Sequence, residues 1–245
     1  TPIKSSAASD VYKRQNQKRC LGCATCTVAC KEWNEGRRGD AKLNGLTDNS
    51  LKSLETPRDW KAGTSDKASN YAFLRRFDMK ENWRRVTFFE FGKRAPDVEV
   101  VPLSMSCNHC NDPACVKVCP VKAISKEKEF GAVIVDSAKC IGCGACAKAC
   151  PWGAPQYFEA LEKTQMGTPE HPHMTKCDMC VDRLRVGLKP ACVASCPGRA
   201  LECGPIEELK KLHPNATFDA VGVPRKLVEQ TKPNVLYEAR KTFVK

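Results

Sequence analysis

The sequence contains no hydrophobic run long enough to cross a membrane. None of its 245 residues falls in a stretch that approaches the roughly 20 apolar residues of a transmembrane helix, and the first residues lack the apolar centre of a secretory signal peptide. We therefore expect that the chain itself neither spans a membrane nor carries an export signal. An initiator methionine and an apolar strand before the first cysteine are also missing, so we expect residues 1–15 to be disordered or foreign to the natural chain.

Apolar side chains are scarce as well. Hydrophobic residues make up 42% of the chain, which falls to roughly 35% without cysteine and is little for a core shared by one or two domains. The chain has no glycine-rich dinucleotide or phosphate loop, and its four histidines form no catalytic arrangement. We therefore predict that the chain has no catalytic residues and binds no small-molecule substrate directly.

Basic residues exceed acidic ones by 40 to 28, which gives a formal charge of +12. A basic excess is typical of proteins that bind nucleic acid. Surfaces that bind single strands, however, interleave aromatic side chains with the basic ones, and no such stripe is present. We therefore predict no nucleic-acid partner and expect the excess to balance anionic cofactors that the formal charge does not count.

Cysteine, by contrast, is abundant. Sixteen of the 17 cysteines form four groups of four, and each group begins with a CxxC pair and ends with two cysteines that three residues separate. In chain order the groups are Cys20, Cys23, Cys26 and Cys30; Cys107, Cys110, Cys115 and Cys119; Cys140, Cys143, Cys146 and Cys150; and Cys177, Cys180, Cys192 and Cys196. Only Cys203 is left over, and we expect it to be a small buried side chain rather than a ligand.

The spacing within these groups is that of ferredoxins. Groups one and three read CxxCxxCxxxC, in which three thiolates bind one [4Fe-4S] cluster and the fourth cysteine binds another. Proline follows groups two, three and four, as in that motif. Disulfides or a four-thiolate zinc site explain neither the third close cysteine nor the proline, so we predict four [4Fe-4S] clusters. His109 lies inside group two, where four thiolates are already available, and we expect it beside a cluster rather than among its ligands.

The strands around groups two and three predict how these groups pair. Asp97–Met105 and Gly131–Asp136 are rich in β-branched residues, which indicates strands, and each leads into a cysteine group. Strand, cluster loop, short helix and strand, repeated once, is the plan of a two-cluster ferredoxin. Groups two and three therefore pair, with Cys119 completing the group-three cluster and Cys150 the group-two cluster. Groups one and four pair by elimination, because a sequential pairing would join groups one and two across a much longer gap.

These features predict an α+β fold with two nested ferredoxin-like (two-cluster) modules, long loops and an extended C-terminal tail. The expected divisions are residues 1–15, non-native or disordered; 16–35 with 172–205, module A; 36–97, an insertion loop and strand; 98–171, module B; and 206–245, a helix and tail. Arg85–Gly92 is predicted to be a core strand and Ile206–Leu212 an amphipathic helix. The polar segment 31–70 is expected to be a surface loop, either for partner contact or disordered, and residues 221–245 show no periodic apolar face.

Three long runs carry a resemblance that goes beyond the spacing of cysteines. They are SCNHCNDPACVKVCP (Ser106–Pro120), CIGCGACAKACPWGAPQY (Cys140–Tyr157) and HMTKCDMCVDRLRVGLKPACVASCPGRAL (His173–Leu201). Through these runs the sequence closely resembles the iron-sulfur electron-transfer subunit of the dimethyl sulfoxide reductase family of molybdopterin oxidoreductases. Further similarity lies at Gly204–Lys211 and Thr231–Asn234. The segment 31–70 does not align, and the family's strand before group one is not evident in the sequence.

The resemblance implies a three-part complex for anaerobic respiration. A molybdopterin-containing catalytic subunit performs the reaction, this non-catalytic chain relays electrons, and a membrane anchor subunit exchanges them with quinol. We accordingly expect a peripheral protein on the periplasmic (outward) face of the cytoplasmic membrane, exported with its partner. The alternatives are a four-cluster relay subunit of a hydrogenase or formate dehydrogenase complex, or a free polyferredoxin.

Carried over by position, the resemblance also implies a set of ligands for each cluster. These sets are Cys20, Cys23, Cys26 and Cys196 for cluster 1, nearest the catalytic subunit; Cys30, Cys177, Cys180 and Cys192 for cluster 2; Cys107, Cys110, Cys115 and Cys150 for cluster 3; and Cys119, Cys140, Cys143 and Cys146 for cluster 4, nearest the anchor. Nitrate-reductase-type relatives have a tryptophan at the position of Cys143 and a three-iron cluster. The cysteine therefore implies a four-iron cluster here.

Overall fold

The computed structural model describes residues 10–34, 82–92, 98–157 and 173–240. Most of the predicted insertion loop and the first nine residues lie outside these ranges, so the predictions made for them stay predictions. Helices and strands are mixed along the described residues. None of the helices in these ranges is both long enough and apolar enough to span a bilayer.

The described elements are short. The strands are β1 (Val11–Asn16), β2 (Arg84–Phe91), β3 (Glu99–Ser106), β4 (Ile124–Lys126), β5 (Val133–Val135), β6 (Gln156–Tyr157), β7 (Met174–Thr175), β8 (Leu201–Pro205) and β9 (Val235–Glu238). The helices are α1 (Thr25–Trp33), α2 (Ala114–Lys117), α3 (Ala145–Ala149), α4 (Val181–Arg185), α5 (Ala191–Ala194), α6 (Ile206–Leu212) and α7 (Arg225–Thr231).

The strands form small sheets next to the cysteine groups. β1 lies in the middle of a three-stranded sheet, antiparallel to β8 and parallel to β9. The pairs β2–β3, β4–β5 and β6–β7 are antiparallel. β3 ends directly before Cys107, and β8 begins a few residues after Cys196. The sheets therefore hold the ends of the cysteine loops in place.

Four of the predicted elements are confirmed. The β-branched run at Asp97–Met105 contains most of β3, and that at Gly131–Asp136 contains β5. The core strand expected at Arg85–Gly92 is β2, and the helix Ile206–Leu212 has the predicted bounds. These segments follow their local pattern, β-branched in the strands and with Glu early and Lys late in the helix.

The expectation of disorder up to residue 15 is wrong for residues 11–15, and a strand before group one is present. β1 is buried along its whole length although most of its residues are polar. The guanidinium of Arg14 pairs with the carboxylates of Glu202 on β8, at 3.0 Å, and Glu238 on β9, so its charge is compensated inside the sheet. The prediction that these residues are foreign to the natural chain concerns their origin and stays a prediction.

The expectation of an extended C-terminal tail is also wrong for most of residues 221–240. Pro224 directly precedes α7 and Pro233 follows it, and proline is favoured where a helix starts because the N–H that it lacks has no partner there. β9 then pairs with β1 in the three-stranded sheet, where Leu236 and Tyr237 are each 1% exposed. This segment therefore closes the core.

The largest buried group of side chains mixes cysteine with aromatic and aliphatic residues. Its members include Cys30, Cys107, Cys110, Cys150, Cys177, Trp83, Leu103, Met105, Trp152 and Tyr237. Cysteines from all four groups thus lie in this core, and the interior is built around the cysteine loops.

Candidate iron-sulfur cluster sites

The loops of groups one and three have the same backbone path. Gly22 and Gly142 occupy equivalent positions with φ of 70° and 68°, and two residues later Ala24 and Gly144 have φ of 56° and 75°. These left-handed values are the ones that glycine adopts most easily. In each loop a helix, α1 or α3, begins at the next residue. The equivalent CxxCxxCxxxC motifs therefore form equivalent structures.

One cavity is lined by the four cysteines predicted for cluster 3. Its volume is about 380 Å³, part of it open to solvent, and its lining includes Cys107, Cys110, Cys115 and Cys150. Helix α2, which contains Cys115, packs against α3 of the next group. The structure thus brings the last cysteine of group three to the first three of group two.

A second cavity, of about 290 Å³, is lined by the four cysteines predicted for cluster 4. These are Cys119, Cys140, Cys143 and Cys146. Polar groups approach three of the sulfurs: the N–H of Ala123 donates to Cys119 Sγ at 3.2 Å, the N–H of Met174 to Cys140 Sγ at 3.3 Å, and the Tyr157 hydroxyl lies 3.1 Å from Cys146 Sγ. Donors to the ligand sulfurs are a main means by which proteins tune these clusters.

Groups one and four also lie together. Helix α1 packs against α5, and the side chains of Cys26, Cys192 and Cys196 belong to one buried or partly buried group. At the end of α1, the Trp33 indole donates to Asp182 at 3.1 Å and stacks 4.3 Å from the guanidinium of Arg183. Both partners belong to α4, so the first cysteine helix is held against the last cysteine group.

The geometry suits a cluster better than a single ion. The thiolates of a [4Fe-4S] cluster each bind a different iron and therefore surround a space, whereas zinc ligands converge on a point. Two cavities with four cysteines each fit the cluster.

Burial acts strongly on the thiols of the cavity walls. It raises the pKa of Cys110 and of Cys115 to about 12, because a thiolate is poorly solvated there. The exposed Cys23 differs, since a hydrogen bond with the Thr25 hydroxyl lowers the pKa of its thiol. Iron binding requires thiolates, so the interior must supply compensating positive charge.

Arg84 is one such buried cation, and no motif in the sequence predicted it. Its guanidinium donates to the hydroxyls of Ser104 at 2.8 Å and Ser106 at 2.9 Å. The Ser104 hydroxyl accepts from the guanidinium and lies 3.3 Å from Cys26 Sγ, to which it donates when that sulfur is a thiolate. Burial lowers the pKa of Arg84, but the charges of several thiolates, Cys192 first, outweigh burial and raise it.

Lys176 is a second buried cation that the sequence did not predict. It is 2% exposed, lines the cavity of group two, and donates to the carbonyl oxygens of Val133 and, at 3.0 Å, Cys177. Burial lowers the pKa of its ammonium, but the thiolates of Cys107 and Cys115 outweigh that effect and raise it. A lysine beside a cysteine in the sequence gives no sign of such enclosure.

His109 is fully buried but contacts a cysteine of another group. Its Nε2 lies 3.5 Å from Cys177 Sγ, and its Nδ1 accepts a hydrogen bond from the N–H of Val133 at 3.0 Å. Burial, with the nearby charge of Lys176, lowers the pKa of the imidazole well below its usual value. Cys203, the remaining cysteine, is partly buried away from both cavities, and burial raises the pKa of its thiol to about 12.

The sequence is similar to that of known iron-sulfur proteins. A family model described as a 4Fe-4S dicluster domain matches residues 98–206, and one described as a 4Fe-4S binding domain matches residues 17–33. The protein is 38% identical over 222 residues to the iron-sulfur subunit of the anaerobic dimethyl sulfoxide reductase of Escherichia coli, a match that covers 90% of this chain and 84% of that subunit. It is 35% identical to the corresponding subunit of Haemophilus influenzae over 92% and 87% of the two proteins. The formate dehydrogenase-O iron-sulfur subunit of Escherichia coli is 32% identical, over 83% of this chain and 56% of that subunit.

Proposed function

Because the protein belongs to the family of the iron-sulfur subunit of anaerobic dimethyl sulfoxide reductase, we propose that it is the electron-transfer subunit of a membrane-attached molybdopterin oxidoreductase for anaerobic respiration. The chain contains 4Fe-4S ferredoxin domains. It relays electrons between a quinol-linked membrane anchor and a molybdopterin-containing catalytic subunit through four [4Fe-4S] clusters. The chain itself contributes no catalytic residue and no substrate site.

The proposed ligands are the sixteen grouped cysteines. They are Cys20, Cys23, Cys26 and Cys196 for cluster 1; Cys30, Cys177, Cys180 and Cys192 for cluster 2; Cys107, Cys110, Cys115 and Cys150 for cluster 3; and Cys119, Cys140, Cys143 and Cys146 for cluster 4. The two cavities support the last two sets, since each is lined by all four members of one set. The packing of α1 on α5 and the shared burial of Cys26, Cys192 and Cys196 support the pairing of groups one and four that the first two sets require.

The same contacts support two nested modules. In the proposed arrangement, residues 16–35 and 172–205 form module A, and residues 98–171, which lie between them in the chain, form module B. Trp33 and its partners on α4 join the two parts of module A, while α2 and α3 join the two halves of module B.

The observation that carries the proposed relay is the exposure of two equivalent cluster loops. When bound, a cluster with four thiolate ligands transfers one electron at a time and has no open iron for a substrate. Cys23 and Cys143, the second cysteines of the matching loops, are exposed, and the apolar side chains near them, Leu21 and Ile141, are 69% and 53% exposed. An exposed cluster loop with an apolar side chain beside it suits contact with a partner subunit, so we take these two loops as the proposed docking edges.

We assign these two edges to the two partners. The edge at Leu21 and Cys23 contacts the catalytic subunit, and the edge at Ile141 and Cys143 contacts the membrane anchor, which attaches the complex to the outward face of the cytoplasmic membrane. The similarity to a formate dehydrogenase iron-sulfur subunit favours a second candidate, a relay in a formate dehydrogenase complex. The match covers only 56% of that subunit against 84% of the dimethyl sulfoxide reductase subunit, which favours the first candidate.

Glutamate substitutions at the two edges test this function. In anaerobic membranes that hold the whole complex, a quinol analogue is expected to bleach the visible absorption of the clusters. Ile141→Glu places a charge in the anchor contact, and we expect it to abolish bleaching by quinol while dithionite still bleaches the protein fully. Leu21→Glu is the matched variant at the other edge: we expect normal bleaching by quinol and release of the catalytic subunit into the soluble fraction.

Leu212→Glu changes an equally exposed leucine on α6 and serves as the control, with no expected effect on either readout. Normal reduction by quinol and normal subunit retention in both edge variants would contradict the proposed docking. An exchange of the two phenotypes would reverse the assignment of the partners.

A further inference from the structure

His109 occupies a position between the two proposed modules. It lies in the loop between Cys107 and Cys110, two proposed ligands of cluster 3, yet its Nε2 is 3.5 Å from the sulfur of Cys177, a proposed ligand of cluster 2. The two cysteine groups are far apart in the chain, and 68 positions separate His109 from Cys177. The imidazole therefore joins the walls of two cluster sites.

The hydrogen bonds of the imidazole determine which nitrogen bears the proton. The backbone N–H of Val133 donates to Nδ1 at 3.0 Å, so Nδ1 is an acceptor and bears no hydrogen. In a neutral imidazole the proton is then on Nε2. This N–H lies within hydrogen-bonding distance of Cys177 Sγ and can only donate to it.

The surrounding residues hold this arrangement. His109 is 0% exposed, and its φ of 45° is one that residues other than glycine rarely adopt. Lys176 donates to the carbonyl oxygens of both Val133 and Cys177. Lys176 therefore holds in place both Val133, which donates to Nδ1, and Cys177, whose sulfur accepts from Nε2.

We propose that His109 is a positioning residue for electron transfer between the two modules, and that its Nε2–H, hydrogen-bonded to the Cys177 sulfur, raises the reduction potential of cluster 2 relative to cluster 3. The inference rests on the proposed function and on the proposed ligand sets. Reduction adds negative charge that the ligand sulfurs share, and a donor to a sulfur stabilises the reduced state more than the oxidised one. The step moves one electron from one cluster to the other, with no bond made or broken and no proton transferred.

Redox titrations of the purified complex, followed by EPR, test this role. In His109→Leu, which lacks a donor, we expect the midpoint of one cluster to become more negative while the other three stay unchanged. The equilibrium constant for reduction should fall by up to about tenfold, which is about 59 mV for one electron. His109→Gln places an amide donor near the position of Nε2 and should restore much of the shift. His213→Leu, which removes a histidine that contacts the carboxylates of Glu202 and Glu238, is the control.

A second measurement needs no variant. Pulsed EPR of the reduced wild-type complex, labelled with ¹⁵N only in histidine, should show one weakly coupled nitrogen on a cluster. A strong coupling would show that His109 is an iron ligand, and the absence of any coupling would show that the hydrogen bond does not form. Either result overturns the inference. So does an unchanged midpoint in His109→Leu at full iron content. A wild-type protein that lacks the four clusters would instead refute the proposed function itself, so the two failures are distinct.

Discussion

At the scale of single residues, the cysteine sulfurs are surrounded by groups that stabilise negative charge. Cys119 and Cys196 accept from the backbone N–H groups of Ala123 and Ala200, which lie four residues after each. Cys26 is contacted by a hydroxyl that a buried guanidinium orients. A set of thiolates bound to iron is anionic, so these donors and cations stabilise the negative charge of the clusters.

The exposed position of Cys143 leads to a prediction about iron content. Under the proposed ligand set, Cys143→Trp would deprive one iron of cluster 4 of its only protein ligand, at an exposed position of the chain. We expect the cluster to retain three irons, which gives a three-iron EPR signal on oxidation and about one iron fewer per chain.

Two further variants control this substitution. Cys23→Trp, at the equivalent position of group one, should produce a three-iron signal in cluster 1 with different neighbours and hence a different magnetic interaction. Cys203→Ala should leave the iron content unchanged, because Cys203 is not among the proposed ligands. A full complement of iron in Cys143→Trp would contradict the assignment of this cysteine.

The grouped cysteines could be found from the sequence because each motif is local. The spacing within a group depends on one loop and is visible in a few residues. Arg84, Ser104 and Lys176 could not be found, because their roles depend on which separate loops meet. Ser104 lies 78 positions from the sulfur that it contacts, and neither composition nor periodicity predicts such a contact.

At the scale of elements, the pattern of side chains predicted the strands and helix that follow a simple period and missed those that do not. β3 and α6 have the expected β-branched or amphipathic sequence and were identified. β1 was missed because its buried side chains are polar and are paired with charges from β8 and β9. α7 was missed because two prolines flank it, although proline before a helix is a start signal.

The contact between α7 and the group-two cavity leads to a prediction about stability. Thr231, the last residue of α7, accepts a hydrogen bond from the Trp152 indole at 3.0 Å, and both residues line the cavity. Thr231→Val keeps the shape but leaves the buried indole N–H without its acceptor, at a cost of about 1–3 kcal/mol. We expect faster bleaching of the clusters in guanidinium chloride, measured as a rate because loss of the clusters is irreversible.

Thr87→Val is the matched control for this variant. Thr87 is 2% exposed on β2, and its hydroxyl has no hydrogen-bond partner among the described residues. The same substitution there removes an unsatisfied group and should leave the rate of bleaching unchanged or lower it. Equal rates for Thr231→Val and the wild type would show that α7 does not stabilise the cavity through Trp152.

At the scale of the whole molecule, the formal charge of +12 and the small apolar fraction have one explanation. Each oxidised cluster with its four thiolates contributes about −2, so the four proposed clusters would reduce the charge of the loaded protein to about +4. Iron-thiolate bonds also join loops in a core where apolar side chains are few. Metal binding and folding are then coupled, and we expect the protein without iron to lack a stable fold.

Iron and acid-labile sulfide analysis of the anaerobically purified protein tests whether the chain binds four clusters. We expect about sixteen irons and sixteen sulfides per chain, with visible absorption that dithionite bleaches and with loss of cooperative unfolding once the iron is removed. About eight irons would contradict the proposed count of four clusters. Stoichiometric zinc in a colourless protein would contradict the electron-transfer role altogether.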